Sequence, residues 1–139
     1  MDAANRGASE AGAESIGLII ILPHEQAPNS YVTPYLSLNF HYFALRKMHF
    51  LLRARAVAVF PGGFGTFDEF FELLTLIQTG KMKPIPILLF GKDFWTRVVD
   101  FEAIAKEGTI SKKDLDLFHW CETCDEAWAH IAAFYELDR

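Results

Sequence analysis

Cysteine is scarce: Cys121 and Cys124 are the two in 139 residues, too few for a disulfide framework and consistent with a reducing compartment. Positive charge is also short. Thirteen Lys and Arg face 18 Asp and Glu, a formal net charge of −5, so no broad positive field exists to hold a polyanion, and the reading excludes nucleic acid as a partner. Long apolar runs are missing as well. The strongest, Ile16 to Leu22, falls far short of the roughly 20 residues that a membrane-spanning helix needs, and Met1-Asp2-Ala3-Ala4-Asn5-Arg6 has no basic-then-apolar leader. The expectation is a cytoplasmic protein with no membrane partner. Internal repeats and low-complexity tracts are absent too.

What is abundant is apolar and aromatic surface. The composition is 51% hydrophobic, with 13 Phe, which is rich for a chain that folds as one domain over 1–139. Such a surplus implies that another subunit covers part of the surface, so a homodimer or higher homo-oligomer is expected.

Along the chain, Ala-rich residues 2–13 read as a short helix. The β-branched run Ile16 to Leu22, stopped by Pro23, reads as a strand buried on both faces. His24 to Pro34 is proline-rich and reads as a loop, and a short strand follows around Leu36 to Phe40. From His41 to Arg53, Phe43, Leu45, Met48, Leu51 and Leu52 recur at helical spacing, with Arg46, Lys47 and Arg53 as a basic stripe. Ala56 to Phe60 is a second short buried strand that leads into a glycine turn and then an amphipathic helix from about Phe67 to Gln78, stopped by Gly80. Strand Ile85 to Phe90, helix Asp93 to Lys106, strand Leu117 to Cys121 and helix Asp125 to Leu137 complete the alternation. Pro86 is a misfit inside a strand, marking an edge, a bulge, or a strand that begins at Ile87. The pattern is that of an α/β fold, a Rossmann-like parallel sheet with helices on both faces.

The turn Pro61-Gly62-Gly63-Phe64-Gly65-Thr66 ends a strand and opens a helix. Glycines there let the backbone bend and come close to a phosphate while the first helical N–H groups point at it. The alternative is a strand-to-helix turn that needs glycine only for its own geometry. No P-loop lysine follows, which speaks against magnesium-dependent triphosphate hydrolysis. Thr66-x-x-Glu69 matches a capping box; equally, Glu69 is a carboxylate placed to bind sugar hydroxyls and to stabilise positive charge at an anomeric carbon. Asp68 beside it reads as solvated. Arg46-Lys47, taken alone, reads as a solvated basic stripe.

With the turn in place, Phe43 to Trp95 resembles the Lonely Guy (LOG) phosphoribohydrolases, long mislabelled lysine decarboxylase-like. That family carries an Arg-Lys pair on a helix and then PGGxGTxxE, matched here by Arg46-Lys47 and Pro61 to Glu69 at the family's separation. The helix continuation Phe70 to Lys81, the Lys83-Pro84-Ile85-Pro86 strand entry and the Gly91-x-x-Phe94-Trp95 turn extend the likeness over most of the chain. The resemblance implies hydrolysis of the N-glycosidic bond of a nucleoside 5′-monophosphate, a cytokinin ribotide or AMP, to free base and ribose 5-phosphate, with no metal and no cofactor. Arg46 and Glu69 would be catalytic. Lys47, Gly62, Gly63, Phe64, Gly65 and Thr66 would bind substrate, the turn's amides clamping the 5′-phosphate. Family members have a further N-terminal section before a segment like Met1 to Ala8, so the resemblance implies an N-terminally truncated domain, a fragment or one completed by a partner. The competing functions are a non-catalytic nucleotide- or phosphate-binding module and an inactive fragment.

Cys121-Glu122-Thr123-Cys124 has redox or zinc half-site spacing but no second pair, and a helix cap at Thr123 or Asp125 explains it better. His41 and His49 are assigned packing or surface roles, and His119 and His130 are expected to stand alone. Phe67, Phe70 and Phe71 read as core or dimer interface, one ring at most bordering a base.

Overall fold

Short apolar runs alternating with amphipathic ones leave the chain one economical solution, parallel strands flanked by helices, and this Rossmann-like α/β architecture is the one found. The computed structural model describes residues 2–21 and 29–137. In chain order the elements are α1 (Asp2–Glu10), β1 (Gly17–Ile20), β2 (Ser37–Phe40), α2 (Phe43–Leu52), β3 (Val57–Val59), α3 (Phe64–Gln78), β4 (Ile87–Phe90), α4 (Lys92–Val98), α5 (Phe101–Lys106), β5 (His119–Cys121) and α6 (Cys124–Phe134). Two compact units divide it, Met1–Arg53 and Ala54–Arg139, each with its own sheet.

In the first unit β1 and β2 pair in parallel, with Gly17 opposite Ser37 and Ile20 opposite Phe40. Hydrogen bonds hold the ends of these strands. Asn5 on α1 donates to Ser15 Oγ, the Asn29 amide donates to Asn5 Oδ1 at 2.9 Å, and the Ser15 N–H donates to Thr33 Oγ1 at 2.9 Å. Gly17 lies so close to Val32 that a Cβ there would meet Val32 Cγ1 at 2.9 Å. The expected double burial of the first strand does not hold: Ile16 and Ile21 are exposed and Leu18 to Ile20 are only half-buried. A strand can carry a continuous apolar run and still lack cover on a face when its sheet has two strands. Residues 22–28 of the expected strand end and loop lie outside the described residues.

The second unit carries the larger core. Its sheet has the order β3-β4-β5, all parallel, with Val57 opposite Ile87, Val59 opposite Leu89, and Phe90 opposite Cys121. β4 is central, and each of its four residues is buried. Pro86 stands just before it, where its missing N–H costs the ladder nothing and its carbonyl accepts from Val57. The alternative of a strand beginning at Ile87 is therefore the observed one. α3 buries Phe70, Leu73 and Ile77 at helical spacing, and Gly80, with φ of +70°, ends it. Phe70 is at the centre of an aromatic cluster with Phe71, Trp95, Phe101 and Phe118. This confirms the core reading of the Phe stripe for Phe70. Trp95 is fully buried, and its indole N–H donates to the Phe90 carbonyl at 2.9 Å.

Where one helix was expected over Asp93 to Lys106, two are present. α4 ends at Val98, and Asp100 starts α5 by accepting from the Ala103 N–H at 2.8 Å. An aspartate of good capping geometry stopped one helix and began another. α6 opens on a capping box between Thr123 and Glu126, as the cap reading of Thr123 required. Both cysteines are free, Cys121 buried and Cys124 exposed.

The histidines expected to stand alone do not. α6 returns over β5, which brings His130 onto His119, and their rings stack at 4.2 Å between centroids and 11° between planes. Burial, and secondarily the neighbouring His119, lowers the His130 pKa from its ordinary 6.5. Other charges here belong to Glu126, held low chiefly by the Glu122 and Thr123 N–H groups, and to Asp116, which lines the same cleft as both rings. Folded protein resists a proton that unfolded chain takes up, so stability is intact above pH 6.5 and falls as the pH drops through the lowered His130 value. Melting temperature should thus decline on acidification below that point, and the decline should shrink in His130→Gln. An identical acid profile for the two proteins would contradict this account.

No helix among the described residues is long and apolar enough to cross a membrane.

Candidate functional site

β3 delivers the chain to the glycine turn at the carboxyl end of the second unit's sheet, the end where parallel sheets of this class bind ligands. Two neighbours fix the approach. Phe60 stacks on Phe90 at 4.6 Å, and Gly91, at the end of β4 with φ of +78°, lies so close to Pro61 that a Cβ there would meet the Pro61 ring at 3.0 Å. The Gly91 N–H in turn donates to the Cys121 carbonyl at 3.3 Å. Ends of all three strands thereby support the turn.

The three glycines of the turn differ in what they do. None has a positive φ, so the backbone does not need them for a left-handed bend. Gly62 is favoured by crowding: a Cβ there would collide with the Thr66 side chain. At Gly63 and Gly65 a Cβ would meet nothing within 4 Å. Local packing gives no reason for glycine at these two positions, and they leave the main chain bare to solvent where a side chain would cover it. Phe64, between them, is 96% exposed.

α3 begins at Phe64 with Gly63 as its N-cap and no side-chain cap. That start is three residues earlier than expected and decides two questions. Thr66 is inside the helix, so Thr66 and Glu69 do not form a capping box, and Glu69 stands in the second turn of the helix instead of the first. The Gly63 carbonyl accepts from the Thr66 and Phe67 N–H groups at 3.0 and 3.2 Å. Amides open to an anion are consequently those nearer the start, Phe64 and Gly65, which a helix leaves without internal acceptors. The positive end of a 15-residue helix adds its field there.

Glu69 is half-buried, whereas Asp68 is exposed as expected. From Phe64 to Glu69 is a rise of about 7.5 Å along the helix axis, a separation that suits a phosphate at one point and the sugar attached to it at the other. Glu72, which sequence reading did not single out, lies three residues further along, on the same side of the helix, and is also half-buried. The Glu69-x-x-Glu72 spacing is the signal in the sequence that could have found it.

The other sequence candidates belong to the first unit. On α2 Leu51 is buried, but Arg46 and Lys47 are half-buried while Phe43, Leu45, Met48 and Leu52 are exposed. The Arg46 guanidinium lies 5.8 Å from the Phe43 ring centroid. A solvated basic stripe does not describe two cations less exposed than the leucines beside them. The structure brings Gly62 to Thr66 and Glu69 together on one turn and helix, and Arg46 with Lys47 on another.

Among the described residues no group of three or more His, Cys, Asp or Glu side chains is placed to hold a metal ion. Comparison with protein families finds that the family described as "Possible lysine decarboxylase" matches residues 1–131. No curated protein matches the chain.

Proposed function

This chain belongs to the possible lysine decarboxylase family, of the Lonely Guy type, and from that premise we propose that it cleaves the N-glycosidic bond of a nucleoside 5′-monophosphate. Water adds at C1′ of the ribose, the C1′–N bond breaks, and free base and ribose 5-phosphate leave. One observation carries the reading. Gly63 and Gly65 meet nothing that would exclude a side chain, and they flank the first free amides of a long helix, which is what a phosphate requires in order to approach the main chain.

The roles follow from the chemistry. As the C1′–N bond lengthens, positive charge grows on the ribose ring, and a carboxylate fixed nearby stabilises that charge more than the neutral ground state. Glu69, half-buried and about two helical turns or less from the phosphate amides, supplies it. Water attacks C1′ and its proton is taken up by the departing base. Arg46 is assigned by the motif to orient the nucleotide and assist the leaving base, with Lys47 as a second cation on α2. A phosphate anchored in the turn holds the sugar in place, so binding energy remote from the reacting bond promotes its cleavage.

The test is release of adenine and ribose 5-phosphate from AMP by the purified chain, followed by chromatography. Absence of both products, with AMP still bound, would replace hydrolysis by the non-catalytic binding reading.

A further inference from the structure

Helical periodicity sorts the residues of α3 by face. Each residue turns the helix by about 100°, so Gly65, Glu69 and Glu72, at i, i+4 and i+7, fall in one stripe about 60° wide. Phe70, Leu73 and Ile77 take the adjoining face and are buried in the core, whereas Phe64 and Asp68 lie outside the stripe and are exposed. At Gly65 the stripe is open main chain, since a Cβ there would meet nothing within 4 Å. Glu69 and Glu72 are half-buried, each with its Oε2 shut off from solvent. Like charges three residues apart on a helix repel, and drawing carboxylates out of water adds to the cost. Bare amides followed along one face by two carboxylates match a ligand that is anionic at one end and carries hydrogen-bond donors beyond it.

We propose that Glu72 selects the base: with the 5′-phosphate on the amides of Phe64 and Gly65 and the ribose at Glu69, the edge of the base reaches Glu72, whose carboxylate accepts from an exocyclic amino group. The inference rests on the nucleotide reading above and adds to it the class of base. Measured from Gly65 along the axis, Glu69 is about 6 Å and Glu72 about 10.5 Å away, the order in which a nucleoside 5′-monophosphate presents sugar and base beyond its phosphate. An ionised carboxylate has acceptors only. It therefore favours a base with an N–H on that edge, as adenine has in its 6-amino group, and gains nothing from a purine without one.

The experiment compares, by calorimetry, the affinities of AMP and of purine riboside 5′-monophosphate, which is AMP without the 6-amino group. A Glu69→Gln background keeps AMP from being consumed, and melting curves show which proteins are folded. With Glu72 present, AMP should bind on the order of tenfold more tightly, the scale of a hydrogen bond to a charged acceptor. In Glu72→Ala the two affinities should become equal. Glu72→Gln keeps the size of the side chain and a neutral carbonyl acceptor, so the preference should fall to roughly threefold, and this variant decides the matter if Glu72→Ala does not fold. Equal affinities with Glu72 present, or a preference that survives both substitutions, overturns the role of Glu72 while leaving the phosphate site standing. Failure of both nucleotides to bind the Glu72-containing protein overturns the nucleotide reading and this inference with it.

Discussion

Glu69→Gln should bind AMP nearly as well as the unsubstituted chain and release adenine on the order of 10³-fold more slowly, the scale on which loss of one preorganised charge-stabilising group is felt. The substitution keeps the size and the hydrogen-bonding reach of the side chain and removes only its charge. A charge matters most when the opposite charge appears, which in glycosidic cleavage is at the transition state. The loss should consequently fall on kcat and spare KM. Glu69 stands in the second turn of α3 and does not cap it, so lost turnover in the variant cannot be attributed to a lost helix terminus, and its melting curve shows whether the fold is kept. Equal rates for the two proteins would remove Glu69 from the chemistry, and a large fall in melting temperature would return it to a structural role.

The second large effect separates glycines that serve the fold from those that serve the ligand. Gly65→Ala places a methyl group in open space at a helical position without positive φ, and by helix propensity it should leave stability unchanged or raise it by up to about 1 kcal/mol. The same methyl group stands over the amides proposed to take the phosphate, so AMP affinity should drop at least about tenfold. Gly62→Ala should behave differently. Its Cβ would collide with the Thr66 side chain, so that Thr66 must shift, with a cost of about 1–3 kcal/mol of stability together with the loss of binding. Melting curves and titrations on the same two proteins decide it. Should Gly65→Ala bind AMP as before, the open space beside Gly65 is not where the phosphate sits.

How much of this was legible in the sequence varies with the range over which each signal acts. The parallel α/β layout was readable because apolar runs such as Ile87 to Phe90 and glycine stops such as Gly80 act within a few residues. So was a helix cap at Thr123 or Asp125, of which Thr123 is the one observed. The break between α4 and α5 was missed although its signal, Asp100 before Phe101, is local, because continuous helical spacing from Asp93 to Lys106 outweighed a single capping side chain. The same error of boundary made Thr66 look like a cap: with the start of α3 set near Phe67, Thr66 stood at the right offset. Three features were beyond reach because they depend on what packs where. These are the stacked His119 and His130, the exposure of Ile16 and Ile21 on either side of β1, and the burial pattern of α2, in which Arg46 and Lys47 are less exposed than Leu45 and Met48. For the candidate site, sequence supplied the residues, and the coordinates supplied the distinction among Gly62, Gly63 and Gly65, which have the same letter and different surroundings.

The most direct test sets AMP against adenosine. The two share base and sugar and differ only in the 5′-phosphate, so their relative affinities for the Glu69→Gln chain report what the glycine turn contributes. AMP should bind and adenosine should bind at least about a hundredfold more weakly, as expected if a doubly charged group is held by several main-chain amides at a helix start. Equal affinity for both would mean that the turn from Gly62 to Thr66 does not hold a phosphate.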